Sequence, residues 1–205
     1  MELNYLIKGM VIGFSIAAPV GPIGILTIQR SLGHSIGAGL STGLGAATAD
    51  AFYGCVAGFG LSFISSLLFD YQTWLLFIGG LFLCGLGLSN LKRTAPETNP
   101  ETAFKGHLFS YLSAFFLTLT NPMTIMAFMA IFAGLGLGTS AKGYTSALTL
   151  VIGVFIGSCT WWLILTFGVG QLRQKLTMGF QKLINQASGM VLLLFGIWAL
   201  ISLVS

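Results

Sequence analysis

Long uncharged stretches dominate the pattern of apolar and polar positions along the chain. They cover 9–29, 71–91, 106–141, 143–172 and 183–205. Each stretch is long enough for a membrane-spanning helix of about 20 residues. The apolar runs are continuous, which favours helices over the alternating strands of a membrane barrel.

The pattern predicts an all-α polytopic membrane protein with six spanning helices. The segment 31–69 is interrupted by Asp50 alone, so one span contains an acidic residue. The first span follows a basic residue, as a signal peptide does, but it contains Pro19 and Pro22 and takes part in a repeat. We therefore interpret it as part of the mature protein. The predicted spans are 6–29, 38–61, 72–91, 108–133, 144–168 and 187–204.

The composition excludes several classes of protein. Charged residues make up 7% of the 205 residues and hydrophobic residues 55%, whereas an ordinary soluble protein has about 25% charged residues. So few charges cannot coat a globule of this size, but lipid covers the outside of a membrane protein. A soluble enzyme, a disordered chain and a nucleic-acid-binding domain are excluded. The net charge of +4 is therefore interpreted as a signal of topology.

Basic residues are concentrated on one side of the predicted membrane. Seven of the nine lie in the loops that follow spans one, three and five, and two lie on the side that holds both termini. Cytoplasmic loops are enriched in Lys and Arg, so we predict that the first side is cytoplasmic and that both termini face outward. The seven residues are Arg30, Lys92, Arg93, Lys105, Arg173, Lys175 and Lys182, and the two are Lys8 and Lys142.

The second half of the chain repeats the first. The proline motif of span one aligns with that of span four, and glycines of span two align with those of span five. Further along, Gly80 aligns with Gly189 and Gly87 with Gly196. A unit of three spans inverts the second copy in the membrane, an arrangement found in many secondary transporters. The predicted organisation is a single membrane domain, 1–205, with repeat 1 at 6–91, a cytoplasmic linker at 92–107 and repeat 2 at 108–204.

Prolines interrupt the first span of each repeat. Pro19, Gly21 and Pro22 lie just past the centre of span one, and Asn121 and Pro122 lie at the centre of span four. A proline inside a helix removes one backbone hydrogen bond, and the freed carbonyl is tolerated in a membrane only where protein or a wet cavity satisfies it. We interpret these residues as the lining of a substrate path. Ordinary proline kinks are the alternative.

Asp50 is the acidic residue deep inside a predicted span. A charged carboxylate near the bilayer centre costs roughly 2.5–3.5 kcal/mol on insertion scales. Its neighbours on the same helix face are mostly Gly and Ala, which suits close helix packing or a cavity wall. We interpret Asp50 as a proton-coupling or cation-binding carboxylate, with a purely structural carboxylate as the alternative. Its repeat equivalent is Thr160, so the predicted proton and substrate site is asymmetric.

The remaining polar residues of the spans suggest structural roles. Gln29 and Arg30 end the first span and are interpreted as interfacial anchors. His34 and His107 lie at loop edges, and no group of residues has metal-ligand spacing, so we expect neither a metal nor a cofactor. Two GxxxG pairs are interpreted as helix-packing motifs within the protomer, with homo-oligomerisation as the alternative. These glycines are Gly39, Gly43, Gly54 and Gly58.

Several of these motifs occur together in one known family. The stretch 18–22, the glycines that lead from Gly33 to Asp50, and the Asn121-Pro122 pair resemble the lysine-exporter (LysE/RhtB-type) family of bacterial amino-acid exporters. The resemblance extends over essentially the whole chain. It implies a transporter rather than an enzyme, placed in the bilayer of the bacterial inner membrane and without a nucleic-acid partner. The implied activity is export of amino acids or similar small metabolites by proton antiport, with Asp50 as the coupling carboxylate.

Two positions depart from the family pattern and leave the substrate open. Ile23 and Met123 are apolar where many relatives carry Asn and Lys. A metal or cation exporter of the same topology is an alternative function. A transmembrane thiol–disulfide electron carrier is a weaker one, because Cys55 and Cys159 do not occupy equivalent positions in the two repeats.

Overall fold

The computed structural model is helical and has no strand in the residues it describes, which are 2–19, 21–59, 70–92, 100–121, 124, 127–128, 144–173 and 178–203. An all-α fold is therefore confirmed for this part of the chain. The helices are α1 (Glu2–Ala17), α2 (Pro22–Gly33), α3 (Ile36–Gly58), α4 (Gln72–Lys92), α5 (Pro100–Leu119), α6 (Tyr144–Arg173) and α7 (Met178–Ile201).

Three helices in the described part of the chain are long and apolar enough to cross a membrane. These helices are Thr73–Lys92, Tyr144–Gln171 and Lys182–Ile201. The bent pair α1–α2 is a fourth candidate if it forms one span. Large apolar side chains such as Trp74, Ile164 and Trp198 are more than half exposed on the helix surfaces. Apolar outer faces are expected where lipid is the solvent, so the chain is a multi-pass membrane protein.

The first predicted span is two helices rather than one. The axes of α1 and α2 differ by 80°, and α2 begins at Pro22 with Gly21 as its extended N-cap residue. Proline is favoured at the first helical position because its missing N–H has no intrahelical partner there. The predicted break is confirmed. The predicted end at residue 29 is wrong, because α2 continues to Gly33.

The last part of the predicted linker 92–107 is helical. The helix α5 begins at Pro100, again with proline at the first position, where its fixed φ angle is already helical. The hydrophilic composition of this segment did not indicate that a helix begins within it. At its other end α5 stops at Leu119, within the predicted span 108–133, of which residues 122–123, 125–126 and 129–133 lie outside the described residues.

Glycines bring two pairs of helices into backbone contact. In the parallel pair α1 and α6, a Cβ added at Gly9 would overlap the carbonyl oxygen of Leu150, and one at Gly157 would overlap that of Met10. In the antiparallel pair α4 and α7, a Cβ added at Gly87 would lie 2.8 Å from the carbonyl oxygen of Gly189. Small residues allow this approach in membranes, where close van der Waals packing drives helix association.

The short helix α2 lies inside the bundle. Ten of its 12 residues are buried, and it packs against α3, α6 and α7. Leu26 of α2 is part of the main core cluster, together with Leu83 of α4, Leu117 of α5 and Leu192 of α7. A broken helix therefore lies where protein surrounds it, as expected for exposed backbone groups in a membrane.

Candidate functional site

Asp50 is buried between α3 and α6. Its side chain is 3% exposed, and the Ser158 hydroxyl donates a 2.6 Å hydrogen bond to its Oδ2. The indole Nε1 of Trp162 in turn donates to Ser158 Oγ at 3.1 Å. The carboxylate thus ends a short chain of donors from α6. Such a chain orients the acidic group while leaving it the capacity to bind a proton.

The face of α3 around Asp50 is buried, as the small residues on it predict. Ala46 and Ala47 are at most 1% exposed. Gly43 packs against the Trp162 side chain and Gly54 against that of Val154. The predicted packing role of these two glycines within the protomer is confirmed by these contacts. Asp50 is therefore screened from lipid by α6.

The structure does not bring Thr160 to Asp50. The Thr160 hydroxyl donates to the carbonyl of Ile156 within α6, at 2.8 Å. Thr160 follows Ser158 by two positions, which is roughly 200° around an α-helix. The partner of the carboxylate is Ser158, which sequence reasoning did not single out.

Tyr53 connects the Asp50 face of α3 to the break after α5. The Tyr53 hydroxyl donates a 2.6 Å hydrogen bond to the carbonyl oxygen of Leu119, and the N–H of Asn121 donates to the carbonyl of Thr118 at 3.2 Å. The end of a helix leaves carbonyl groups without intrahelical partners. The Tyr53 side chain, one helical turn from Asp50, therefore donates a hydrogen bond to a carbonyl group at the end of α5.

Pro22 and Asn121, one from each predicted break, line the same small cavity. It has a volume of about 40 Å³ and is mostly apolar, with Leu83, Leu117 and Phe195 among its walls. A single water needs about 10–15 Å³ of such volume, so the cavity is too small for an amino acid. Pro19 is exposed, Gly21 caps α2, and Pro122 lies outside the described residues.

Arg30 and Gln29 are not interfacial anchors. Arg30 is 5% exposed and Gln29 1%. The guanidinium Nη1 donates to Thr42 Oγ1 and to the carbonyl of Ser110, both at 3.0 Å, and Nη2 donates to Ser113 Oγ at 2.9 Å. The prediction was wrong because α2 runs past residue 29 and is enclosed by neighbouring helices. A charge buried there requires polar partners.

Gln29 takes part in an amide cluster with two other helices. Its Nε2 donates to Asn185 Oδ1 of α7 at 3.1 Å and to Asn90 Oδ1 of α4 at 3.5 Å. Asn90 is itself 4% exposed, and its Nδ2 has no hydrogen-bond partner among the described residues. Polar side chains at the ends of three helices therefore converge beside Arg30.

A polar cavity of about 270 Å³ opens beside this cluster, between α2, α3, α4 and α5. The Arg30 guanidinium lies 5.7 Å from the ring centroid of Phe109, and Ser35 Oγ lies 3.4 Å from His107 Nε2. The two histidines predicted at separate loop edges both line it. The lining residues are Leu26, Gln29, Arg30, His34, Ser35, Ala38, Leu86, Ser89, Asn90, Gly106, His107, Phe109 and Ser110.

Sequence reasoning missed this cavity, although the chain contains a signal for it. Thr42, Asn90, Ser110 and Ser113 are polar positions inside or at the ends of apolar stretches, and all four are buried. Polar groups in such positions need partners. Their number near Arg30 could have indicated a shared site, but their spacing along the chain does not show that they meet.

The described residues contain no group of three or more His, Cys, Asp and Glu side chains that could hold a metal ion. The three cysteines are free thiols and partly buried. The buried carboxylate of Asp50 and the polar cavity are the two candidate sites among the described residues.

Comparison with known proteins identifies the family. The model of the LysE type translocator family matches residues 14–203. The chain is 26% identical over 200 residues to the "Putative amino acid efflux protein YcgF" of Bacillus subtilis (strain 168), covering 96% of this chain and 95% of that protein. It is 27% identical to the "Uncharacterized membrane protein YahN" of Escherichia coli (strain K12), over 53% of this chain and 50% of that protein. No solved structure matches. The chain therefore belongs to the LysE type translocator family.

Proposed function

We propose that this protein is a secondary transporter that exports amino acids or related small metabolites across the bacterial inner membrane in exchange for protons. The observation that carries the proposal is the buried carboxylate of Asp50 at the α3–α6 contact, held by Ser158. A buried carboxylate within a membrane domain is costly and is commonly part of a proton or ion pathway. The efflux activity in the name of the Bacillus subtilis relative supports the direction of transport.

The helix contacts support two inverted repeats. In the antiparallel pair α4–α7, a Cβ added at Gly80 would lie 3.2 Å from the carbonyl oxygen of Gly196, and one added at Gly87 would lie 2.8 Å from that of Gly189. Gly80 is the repeat equivalent of Gly189, and Gly87 of Gly196. Exchange of each residue for its repeat equivalent therefore converts one contact into the other, as a two-fold axis between the helices requires.

The other helix pairs follow the same pattern. The helices α3 and α6 are repeat equivalents of each other. They pack antiparallel, since Asp50 contacts Ser158 and Gly43 contacts Trp162. The pair α1–α6 is parallel, and so is its repeat equivalent α5–α3, in which Tyr111 contacts Thr48 and Leu119 contacts Tyr53. A two-fold axis in the membrane plane produces this set of directions, which supports repeats at 6–91 and 108–204.

In the proposed cycle the two halves rock against each other around Asp50. Protonation from outside and deprotonation inside would alternate with substrate binding from the cytoplasm. The breaks at Pro22 and Asn121 lie at the small cavity between the halves, and the axes of α1 and α2 differ by 80° at the first break. Pro19, Gly21 and Pro122 belong to the same breaks along the proposed substrate path. Thr160 occupies the position in the second repeat that Asp50 occupies in the first, so that repeat has no carboxylate there.

The charge count supports a cytoplasmic location for the loops after spans one, three and five. Because Arg30 is buried, it no longer counts as a loop residue, and six basic residues remain against two. We therefore expect both termini outside. Fusion of a periplasm-dependent reporter, alkaline phosphatase, to residue 205 should give activity, and a fusion after Lys92 should give none. The reverse pattern would contradict this orientation.

Export itself is tested by growth and by analysis of the medium. Overexpression in a sensitive bacterium should raise tolerance to at least one toxic amino acid or dipeptide, and metabolomics should find the exported compound enriched outside the cell. The empty vector and a chain truncated before α3 are the controls. If wild-type protein reaches the membrane and neither tolerance nor the medium changes, the proposed substrate class is wrong.

A further inference from the structure

The hydroxyl that donates to Asp50 is itself held by a second residue of α6. Trp162 Nε1 donates to Ser158 Oγ at 3.1 Å, and Ser158 Oγ donates to Asp50 Oδ2 at 2.6 Å. We propose that Trp162 is a positioning residue that sets the pH at which Asp50 takes up and releases a proton, acting through the Ser158 hydroxyl. The inference deepens the proposed function and rests on it, since Trp162 affects transport in this way only if Asp50 carries the coupled proton.

The atoms of these three side chains allow one direction of donation when Asp50 is ionised. The indole N–H of Trp162 is a donor without acceptor capacity, so Ser158 Oγ must accept from it. A hydroxyl has a single hydrogen, which is then left for the Asp50 carboxylate. The 2.6 Å distance between Ser158 Oγ and Asp50 Oδ2 lies in the range of a hydrogen bond to an ionised acceptor. Trp162 and Ser158 together therefore support the ionised form of Asp50.

Hydroxyl groups elsewhere in the helices show the bond that Ser158 would otherwise make. Several of them donate to the carbonyl oxygen four residues earlier in their own helix, including Thr42, Thr118 and Thr160. This local bond is a common one for Ser and Thr within a helix, and for Ser158 the corresponding acceptor is the carbonyl of Val154. The bond from Trp162 holds Ser158 Oγ toward α3, so that its hydrogen points to Asp50 rather than back along α6.

Burial separates the three side chains from competing partners. Ser158 is 0% exposed, Asp50 3% and Trp162 5%. Trp162 lies against Gly43 of α3, where an added Cβ would overlap the Trp162 side chain. A hydrogen bond is electrostatically stronger in such surroundings than in water. Loss of the indole donor should therefore change the proton affinity of Asp50 measurably.

Two other titratable side chains lie near the carboxylate. Tyr53 of α3 and Cys159 of α6 both interact electrostatically with Asp50. Ordinary tyrosine and cysteine side chains are mostly neutral at pH 7. Neither one therefore replaces Ser158 as the partner of an ionised Asp50.

The helices α1, α2 and α5 also pack against α3. Each of the charged or titratable groups with a described side chain on them has a contact away from Asp50: Glu2 with Ser146, Lys8 with Tyr5, Arg30 with Thr42, His107 with Ser35 and Tyr111 with Thr48. Within the described part of the chain, the hydrogen bond that reaches the Asp50 carboxylate comes from Ser158. The donor that positions Ser158 is therefore the place to alter the proton affinity.

Infrared difference spectroscopy of the purified full-length protein tests the role of Trp162. The stretching band of the protonated carboxyl group is followed against pH, and the same titration of Asp50→Asn protein is subtracted. In Trp162→Phe protein we expect the midpoint to move to higher pH, because the ionised form of Asp50 has lost support from the indole donor. The expected shift is about half a unit to one unit, which is roughly a three- to tenfold increase in proton affinity.

Trp161→Phe is the matched control. Trp161 precedes Trp162 in α6, and its ring packs edge-on against Phe14 of α1, with the ring centroids 5.5 Å apart. The same chemical change at this position should leave the midpoint where it is in the wild-type protein. If Trp162 has only a packing role, Trp162→Phe will lower the melting temperature and leave the midpoint unchanged. That result, or equal shifts in the two variants, would overturn the proposal.

A double variant tests whether Trp162 acts through Ser158. Residues that share one hydrogen-bond network have non-additive effects, whereas independent residues have additive ones. Trp162→Phe should therefore cause no further shift of the midpoint in the Ser158→Ala background. An additive shift would show that the indole acts on Asp50 by another route, and the proposed role would be wrong.

The indole signals of the wild-type protein provide a test that needs no folded Trp162 variant. The chain has four tryptophans, and in protein labelled with ¹⁵N-tryptophan the other three N–H signals are assigned with Trp74→Phe, Trp161→Phe and Trp198→Phe. The remaining signal belongs to Trp162. It should follow the protonation of Asp50 as the pH changes and stay constant in Asp50→Asn protein. A Trp162 signal that is independent of this titration contradicts the proposal.

The outcomes separate this role from the proposed function. If the Asp50 carboxyl titrates and export is driven by protons, but Trp162→Phe and Trp161→Phe share the wild-type midpoint, the role of Trp162 is wrong and the exporter stands. If the carboxyl does not titrate at any pH at which the wild-type protein is folded, proton coupling at Asp50 fails and the role of Trp162 fails with it.

Discussion

Asp50→Asn is expected to slow substrate export driven by a proton gradient strongly while substrate exchange continues. The amide is close in shape to the carboxylic acid and can still accept the hydrogen bond from Ser158, but it cannot take up and release a proton. Net antiport requires that cycle of protonation, whereas exchange of labelled for unlabelled substrate does not. In proteoliposomes, a pH gradient should therefore drive export at least about tenfold more slowly in the variant, a difference of about 1.4 kcal/mol in barrier height.

Ser158→Ala is the comparison for this variant. It removes the donor to Asp50 and keeps the carboxylate, so we expect slower export that still responds to the pH gradient. A purely structural carboxylate would give similar losses in both variants, and exchange would fall along with export. Full gradient-driven export by Asp50→Asn protein would contradict the coupling role of Asp50.

Gly157→Ala is expected to be among the most destabilising substitutions of a single methyl group in this protein. The added Cβ would overlap the carbonyl oxygen of Met10 in α1. That oxygen is a backbone atom of a packed helix and cannot turn aside as a flexible side chain can. Overpacking of this kind costs about 1–3 kcal/mol, and occasionally more. Denaturant titration of the protein in micelles should show the loss in the free energy of unfolding.

Gly168→Ala is the matched control in the same helix. A Cβ at Gly168 meets nothing within 4 Å, and alanine is favoured over glycine inside a helix by roughly 0.5–1 kcal/mol. The control should therefore be neutral or slightly stabilising. Equal stability of the two variants would show that α1 and α6 do not approach each other through Gly157.

Much of the fold follows from the order of apolar and charged residues. The predicted spans 72–91 and 144–168 begin where α4 and α6 begin. This agreement has a simple cause: a continuous apolar stretch placed in lipid must satisfy its backbone groups internally, and a helix does so. Pro22 likewise marked the start of α2, because a proline at a first helical position lacks only an N–H that would have no partner.

The candidate site was only partly predictable. Asp50 could be found because a single acid in an apolar span is conspicuous, and its small neighbours indicated a packed face. Its partner could not be found in the same way. Thr160 is the repeat equivalent of Asp50, but the residue in contact is Ser158, because equivalence in a repeat does not decide the register in which α3 and α6 pack, and two positions along α6 select another face of the helix.

By itself, the sequence determined the class of protein, the approximate positions of most helices, the first break and one buried carboxylate. These are properties of local composition, since an uninterrupted apolar helix is stable in lipid and an isolated charge raises the free energy of a segment placed there. Only the tertiary structure decided that Arg30 and Gln29 face the interior, and that Asn90 and His107 join them around one cavity. The reason is that such contacts connect residues far apart in the chain, and they depend on which helix faces pack together.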